Sequence, residues 1–175
     1  MYGGIDGQNA EGCHNWCREC VNFGCYAMSE YQHVLVAVDF SAETECVVKR
    51  ALALAAMQKA KVSFIHVVEY TGYLYPPDTP LPLDVDLEQQ FVDKAAENLK
   101  SLAEERGLPD AARYVEVGSP MQEIVNVAHA QSVDLIVIGS HGRHGLQRIL
   151  GSTASGVLHL STCDVLAVRV GACKT

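Results

Sequence analysis

The chain has 175 residues, 49% of them hydrophobic, so it can bury one sizeable core but is short for two ordinary domains. Its formal net charge of −8 and its pI of about 5.3 argue against a phosphate backbone as partner, so we expect no nucleic acid. No apolar run reaches the roughly 20 residues of a membrane-spanning helix, and the first residues lack the pattern of a secretory signal. The sequence therefore predicts a cytoplasmic location and no membrane partner.

Residues 1–30 differ in composition from the rest of the chain. They lack apolar periodicity and hold four clustered cysteines, Cys13, Cys17, Cys20 and Cys25. One interpretation is a small zinc or iron–sulfur site, although the second cysteine pair of a specific zinc-finger pattern is absent from the sequence. The interpretation we favour is that this leader is disordered or not native, with Met28 as the true start. We therefore divide the chain into a Cys-rich leader, 1–30, and one domain, 31–172.

From residue 31 onwards, strand-like and helix-like patterns alternate. Short apolar runs predict five strands, at 33–38, 62–68, 114–117, 134–138 and 165–168. Apolar residues at helical spacing predict four helices, at about 41–60, 84–106, 121–130 and 152–160. A proline-rich loop separates the second strand from the second helix.

Some residues refine these predictions. Ser41 stands where the N-cap of the first helix is expected, and Gly107 is a plausible stop for the second. The second helix has one apolar face, formed by Leu87, Phe91, Ala95, Leu99 and Leu102. Met57 and Met121 are interpreted as core residues.

Regular alternation of strands and helices predicts the α/β class, with a doubly wound, five-stranded parallel sheet and helices on both faces. We expect the strand order 3-2-1-4-5. A ligand then binds beyond the carboxyl ends of the strands where this order reverses, between the first and fourth strands. Those ends carry Asp39 and Gly139.

The segment from the fourth strand to the fourth helix has the composition of an anion site. Its glycines allow close approach of backbone N–H groups, and the helix start adds hydroxyl donors and a partial positive charge. The residues concerned are Gly139, Gly142, Arg143, Gly151, Ser152 and Thr153. The sequence contains no P-loop motif, and no G-x-G-x-x-G follows the first strand. A tight turn alone would account for only one or two of the glycines.

At these residues the chain resembles the universal stress protein family, from Tyr31 to Val170. The similarity lies in four segments, residues 36–39, 65–67, Gly118-x-Pro120 and 134–152. It implies a stress-response regulator that binds ATP, with or without Mg²⁺, and forms a homodimer through the last strand. By resemblance, Asp39 would contact the ribose, Val67 the adenine through its backbone, and the glycine segment the phosphates.

Two features differ from the pattern of ATP-binding members. Eight residues separate Gly142 from Gly151 where that pattern has nine, and Asp164 stands where many such members have proline. Two hypotheses therefore stay open, a nucleotide-binding stress regulator and a nucleotide-free dimeric interaction module of the same fold. No motif pairs a nucleophile with a base and an orienting acid, so we expect no enzyme, with slow ATP hydrolysis at most.

Overall fold

A computed structural model describes residues 31–69, 85–140 and 150–169 of the chain, except the side chains of residues 85–87. All of them fall within residues 31–175, one of two compact units. The predicted leader, 1–30, lies outside the described residues and its interpretation stays a prediction. The described elements are β1 (His33–Ala37), α1 (Thr44–Gln58), β2 (Lys61–Val68), α2 (Val85–Glu105), β3 (Ala112–Val117), α3 (Pro120–Ala130), β4 (Leu135–Gly139), α4 (Ser152–Leu160) and β5 (Asp164–Val168).

The described strands form one parallel sheet in the order β3-β2-β1-β4-β5. This confirms the predicted fold class and strand order. The chain runs outward from β1 to β3 with α1 and α2 on one face, then crosses back to β4 and β5 with α3 and α4 on the other. Right-handed crossovers require this arrangement, because a reversal of direction along the sheet moves the connecting helix to the opposite face.

Each face of the sheet supports its own hydrophobic core. Val34, Val36 and Phe64 point towards α1 and α2, whereas Leu35 and Ile65 point towards α3 and α4, and all five side chains are fully buried. Successive residues of a strand face opposite sides, so a central strand covered on both sides must be apolar throughout. The two cores fix β1 at the centre of the sheet, with its carboxyl end beside that of β4.

The start of α1 differs from the prediction that Ser41 is its N-cap. The helix begins at Thr44, and Glu43 holds the N-cap position. The N–H of Ser41 donates to Asp39 Oδ1 at 3.0 Å, and Ser41 Oγ accepts from the N–H of Glu43 at 3.3 Å. Because each of these short side chains satisfies an N–H two residues further on, a turn replaces the first predicted turn of helix.

The end of α2 is where Gly107 predicts it. Gly107 has a φ of 71°, a left-handed conformation that favours glycine. Its N–H donates to the carbonyl of Glu104 at 3.0 Å, and the N–H of Leu108 donates to that of Ala103 at 2.9 Å. This pair of bonds is the Schellman motif, which satisfies the last carbonyls of the helix.

The predicted apolar face of α2 is buried only in part. Ala95 and Leu99 are buried, but Phe91 is 51% exposed, so only part of the predicted face contributes to the core. The 21 residues of α2 span about 31 Å, whereas the 6 residues of β3 span about 20 Å. The helix therefore extends past the sheet. Despite this length, neither α2 nor any other described helix is apolar enough to cross a membrane.

The two methionines interpreted as core residues are both exposed. Met57 is 79% exposed because it lies two residues after the buried Ala55, about 200° further round α1. Met121 is 39% exposed and lies at the start of α3, where it packs against Gly156 of α4. The core assignment is wrong for both residues, although Met121 helps to join the two helices of its face.

Candidate functional site

One cleft, with a volume of about 820 Å³, borders the carboxyl ends of β1, β2 and β4. The starts of α1, α3 and α4 and one side of α2 complete its described walls. Among the predicted site residues that line it are Asp39, Val67, Gly139, Gly151, Ser152 and Thr153. Gly142 and Arg143 lie outside the described residues. The described members of the predicted site thus surround one space, although they come from three strands and a helix.

Asp39 lies two residues beyond β1, next to the start of α1. Its Oδ1 accepts hydrogen bonds from the N–H of Ser41 at 3.0 Å and from the hydroxyl of Thr44 at 3.2 Å. Part of the role of this carboxylate is therefore to hold the turn that precedes α1. A carboxylate offers about four acceptor positions, so this local role is compatible with further hydrogen bonds from ligand hydroxyls.

Phe40 and His66 form a second link between the ends of β1 and β2. Nδ1 of His66 lies 2.8 Å from the carbonyl oxygen of Val38, and because a carbonyl only accepts, Nδ1 carries the proton. The rings of Phe40 and His66 lie 4.5 Å apart at an angle of 41°. Phe40 has a φ of 56°, which is unusual for a bulky residue and occurs where surrounding contacts enforce it.

Val67 presents its backbone to the cleft. In a parallel strand, the peptide groups of successive residues point alternately to the two neighbouring strands. The carbonyl of Ile65 accepts from the N–H of Val38 on the β1 side, so the peptide groups of Val67 point to the same side. Since β1 ends at Ala37, the N–H and carbonyl of Val67 face the space beyond that strand. This orientation suits a ligand that forms hydrogen bonds with the N–H and carbonyl of Val67.

The two ends of the glycine segment are tied together. The N–H of Ser140 donates to the carbonyl of Val168 at 2.8 Å, and the N–H of Gly151 donates to the carbonyl of Ser140, also at 2.8 Å. The first bond holds the end of β4 against β5, and the second brings the start of α4 to the end of β4. Gly151 therefore uses its own N–H within the fold, which leaves the next residues to offer N–H groups.

The start of α4 is suited to an anion. The first intrahelical bond runs from the N–H of Ser155 to the carbonyl of Gly151, at 2.9 Å. The N–H groups of Ser152, Thr153 and Ala154 precede that bond and so have no partner within the helix. They lie at the positive end of the helix dipole, beside the hydroxyls of Ser152 and Thr153. Phosphate binding at this helix start stays a prediction.

The sequence did not identify the wall that α2 contributes. Phe91, Lys94, Ala95 and Asn98 lie on one side of this helix and line the cleft opposite the sheet. A helical pattern reveals that these residues share a face, but it does not reveal that the sheet ends beneath them. A shallower depression of about 620 Å³ follows the outer surface of α2, and its described lining comes from that helix alone. We therefore place the site in the larger cleft.

The described lining of the cleft is acidic. It contains the carboxylates of Asp39, Glu43 and Glu69, against one ammonium group, that of Lys94. The Nζ of Lys94 is already 2.8 Å from Glu97 Oε2 on the same helix. Within the described part of the chain, no three His, Cys, Asp or Glu side chains are arranged to hold a metal ion. Among the described walls, the positive potential that attracts a phosphate group therefore comes from the start of α4 rather than from α1 or β2.

Fold and cleft together define a doubly wound α/β protein with a cleft at the point where the strand order reverses. The sequence model described as the universal stress protein family matches residues 30–169. Universal stress protein A homolog 1 of Coxiella burnetii is 36% identical over 138 residues, which cover 79% of this chain and 96% of that protein. The chain belongs to the universal stress protein family.

Solved structures agree with this assignment. Universal stress protein UspA from Lactobacillus plantarum superposes with a TM-score of 0.66 over 81% of this chain and 99% of its own, and its 24% identity supports the fold alone. A universal stress protein solved in complex with cAMP is 26% identical, with a TM-score of 0.59 over 82% of this chain and 100% of its own. The family resemblance deduced from the sequence is confirmed.

Proposed function

We propose that this universal stress protein binds an adenine nucleotide, ATP with Mg²⁺, in the cleft, and acts in the cytoplasm as a stress-response regulator through its homodimer or a partner. The observation that carries this proposal is the meeting of Asp39, the peptide edge of Val67 and the start of α4 around one space of about 820 Å³. That volume lies in the usual range of about 300–1,000 Å³ for small-molecule sites.

Each part of the cleft suits one part of the nucleotide. The backbone of Val67 would pair with the base, Asp39 would accept hydrogen bonds from the ribose hydroxyls, and the start of α4 would hold the phosphates. By family resemblance, Gly139, Gly142 and Gly151 would complete the phosphate site, and the permanently charged, forked guanidinium of Arg143 would suit a phosphate. The relative solved with cAMP supports the ligand class, since cAMP is itself an adenine nucleotide.

The charge of the described walls supports a role for the cation. Three carboxylates and one lysine line them, so a triphosphate would experience repulsion near β1 and β2. Mg²⁺ binds phosphates with one or two carboxylates and several waters, and would neutralise part of that charge. We propose that the carboxylate of Asp39 binds this Mg²⁺, either directly or through a water molecule. We expect binding with at most slow hydrolysis, because no residue has been identified as a base for the attacking water.

The homodimer that we propose forms through β5. This strand lies at the lateral edge of the sheet, so β4 pairs with one side of its backbone only. The other side faces away from β4 and can pair with the same strand of a second copy. Exposed apolar side chains lie on β5 and on the neighbouring α4, namely Leu158, Leu160 and Leu166. Leu166→Lys should shift native mass spectra from dimer to monomer. A wild type that is monomeric at micromolar concentration would contradict this part of the proposal.

Calorimetric titration with ATP and Mg²⁺ tests nucleotide binding. We expect Asp39→Ala and the double variant Ser152→Ala, Thr153→Ala each to weaken binding at least tenfold. Asp164→Asn, at the amino end of β5 and away from the cleft, serves as the matched control. Circular dichroism establishes that each variant is folded. A folded wild type that ignores millimolar ATP would leave the nucleotide-free dimeric interaction module as the function of this fold.

A further inference from the structure

The β1–β2 ladder ends at a hydrogen bond from a side chain. Ladder bonds recur every two residues along a parallel strand. The N–H of Val38 donates to the carbonyl of Ile65 at 3.0 Å, so the next bond of the series would join the N–H of Val67 to the carbonyl of Val38. At that carbonyl, Nδ1 of His66 donates a hydrogen bond of 2.8 Å. The side chain of His66 thus occupies the acceptor that would extend the ladder.

Phe40 holds this arrangement from the other side. Its φ of 56° lies in the left-handed region, directly after Asp39. A non-glycine residue in this conformation costs about 1 kcal/mol or more, which nearby contacts must offset. The ring of His66, 4.5 Å away, provides such a contact. His66 therefore fixes both the last carbonyl of the ladder and the residue that follows Asp39.

We propose that His66 is a positioning residue, which ends the β1–β2 ladder at Val38 and leaves the peptide group of Val67 to the base of the bound nucleotide. This inference rests on the proposed function for its ligand. The end of the ladder, however, is a property of the protein without nucleotide and can be measured separately.

The peptide of Val67 would favour adenine over guanine. It offers an N–H donor and a carbonyl acceptor on one edge of β2. On its N7 edge adenine presents the complementary pair, the acceptor N7 next to the amine donor N6, whereas the same edge of guanine presents two acceptors, N7 and O6. Guanine could pair with the peptide only through O6 and N1–H, which requires a different orientation of the base relative to the ribose. If the ladder continued by one bond, the N–H of Val67 would be consumed by Val38. The proposed role of His66 is therefore to maintain base selectivity through the peptide group of Val67.

Three substitutions separate the two contacts of His66. His66→Asn places an amide donor near the position of Nδ1, so it retains the bond to Val38 and loses the ring. His66→Phe retains a ring beside Phe40 and loses the donor, and His66→Ala loses both. We expect His66→Phe and His66→Ala to bind ATP and adenosine about threefold to tenfold more weakly and to lose preference for ATP over GTP. His66→Asn should retain that preference.

The ratio of ATP to adenosine affinity distinguishes this role from general damage to the site. It reports the phosphate contacts at α4, so it should stay unchanged in all three variants. A variant that merely disturbed the fold would lower this ratio together with the affinity for adenosine. Unchanged selectivity for adenine in His66→Phe would overturn the proposal.

Amide hydrogen exchange without nucleotide tests the end of the ladder directly. In the wild type and in His66→Asn, the amide of Val67 should exchange faster than that of Ile65. In His66→Phe, the protection of Val67 should rise as its N–H bonds to Val38. Equal protection of Val67 and Ile65 in the wild type would overturn the proposal. If the wild type binds no nucleotide, the proposed function fails, and this exchange pattern still decides whether His66 ends the ladder.

Discussion

The hydroxyl of Tyr31 donates a hydrogen bond of 2.8 Å to Asp164 Oδ2, at the amino ends of the strands, opposite the cleft. Asp164 is the first residue of β5 and pairs with Leu135, whereas Gly139 pairs with Val168 at the other end. Four residues along a strand correspond to about 13 Å. The departure from the proline of ATP-binding relatives therefore lies well away from the proposed nucleotide, and its local partner is Tyr31.

Removal of this contact should affect stability and not ligand binding. For Asp164→Asn and Tyr31→Phe, we expect an unchanged ATP affinity and a loss of unfolding free energy of about 1 kcal/mol or less, because the pair is exposed. The hydrogen bond to Asp164, followed by burial and nearby carboxylates, raises the pKa of Tyr31 above its ordinary value. Ultraviolet titration against Tyr31→Phe should show that Asp164→Asn lowers this pKa. A tenfold change in ATP affinity would show that this edge communicates with the cleft.

Stability should decrease in mild acid because of His33. This side chain is 7% exposed, and its Nε2 lies 2.8 Å from Ser63 Oγ while Nδ1 lies 3.2 Å from the carbonyl of Gln131. Burial lowers its pKa below the ordinary 6.5, and Lys61 adds to this, whereas the bond to Gln131 and the charge of Asp134 oppose it. The unfolded chain thus binds a proton more readily than the folded one.

The sign of the effect follows from that difference. Above pH 6.5 both states are neutral at His33, and the unfolding free energy keeps its full value; it falls as the pH decreases through 6.5 towards the folded-state pKa. Urea unfolding at about pH 7.5 and pH 5.5 measures this loss. His33→Gln serves as the comparison and should lose less stability over the same interval. An equal loss of unfolding free energy between these two pH values in both proteins would contradict the assignment to His33.

Gly156→Ala should destabilise the protein, although alanine normally favours a helix over glycine by about 1 kcal/mol. A Cβ at this position would lie 2.9 Å from the Cβ of Met121, an atom fixed by the backbone of α3. We expect a net loss of about 1–3 kcal/mol in unfolding free energy. Met121→Ala should restore only part of it, because this change removes the Sδ and Cγ atoms that also crowd the added Cβ but retains the Cβ of residue 121. A stabilising Gly156→Ala would show that α3 and α4 separate easily.

Phe91→Ala should weaken nucleotide binding without lowering stability. The ring is 51% exposed and lines the cleft, so its removal costs little in the free protein. Contact of about 40 Å² of ring surface with the ligand would contribute about 1 kcal/mol, or about fivefold in Kd. Met57→Ala is the matched control, since Met57 is exposed outside the cleft lining. Equal Kd values for Phe91→Ala and wild type would exclude the Phe91 ring from the ligand site.

The sheet could be predicted because its determinants are local. Regular alternation of apolar runs and helical patterns requires parallel strands, and the strand order then places Asp39 and Gly139 at one edge. The helix end at Gly107 was equally predictable, since the Schellman motif depends on neighbouring residues. The same rule leads to the glycine segment and the start of α4, whereas the family resemblance supplied Val67; the described members of this set line one cleft.

What the sequence could not reveal depends on distant residues or on where an element ends. His66 bonds to Val38, 28 residues away, and no local pattern identifies that contact. Phe91 shares a helical face with Ala95 and Leu99, but only the length of the sheet determines which of them is covered. The turn at Ser41 depends on competition between the side chain of Asp39 and the helix for the same N–H groups.

Chemical-shift mapping of the isotopically labelled protein with ATP and Mg²⁺ tests the central claim most directly. Saturable shifts should appear at the amides of Asp39, Val67, Ser152 and Thr153, and the amide of Ser63, towards the opposite edge, should not move. Shifts confined to the opposite edge, or no shifts at millimolar ATP, would contradict nucleotide binding in the cleft.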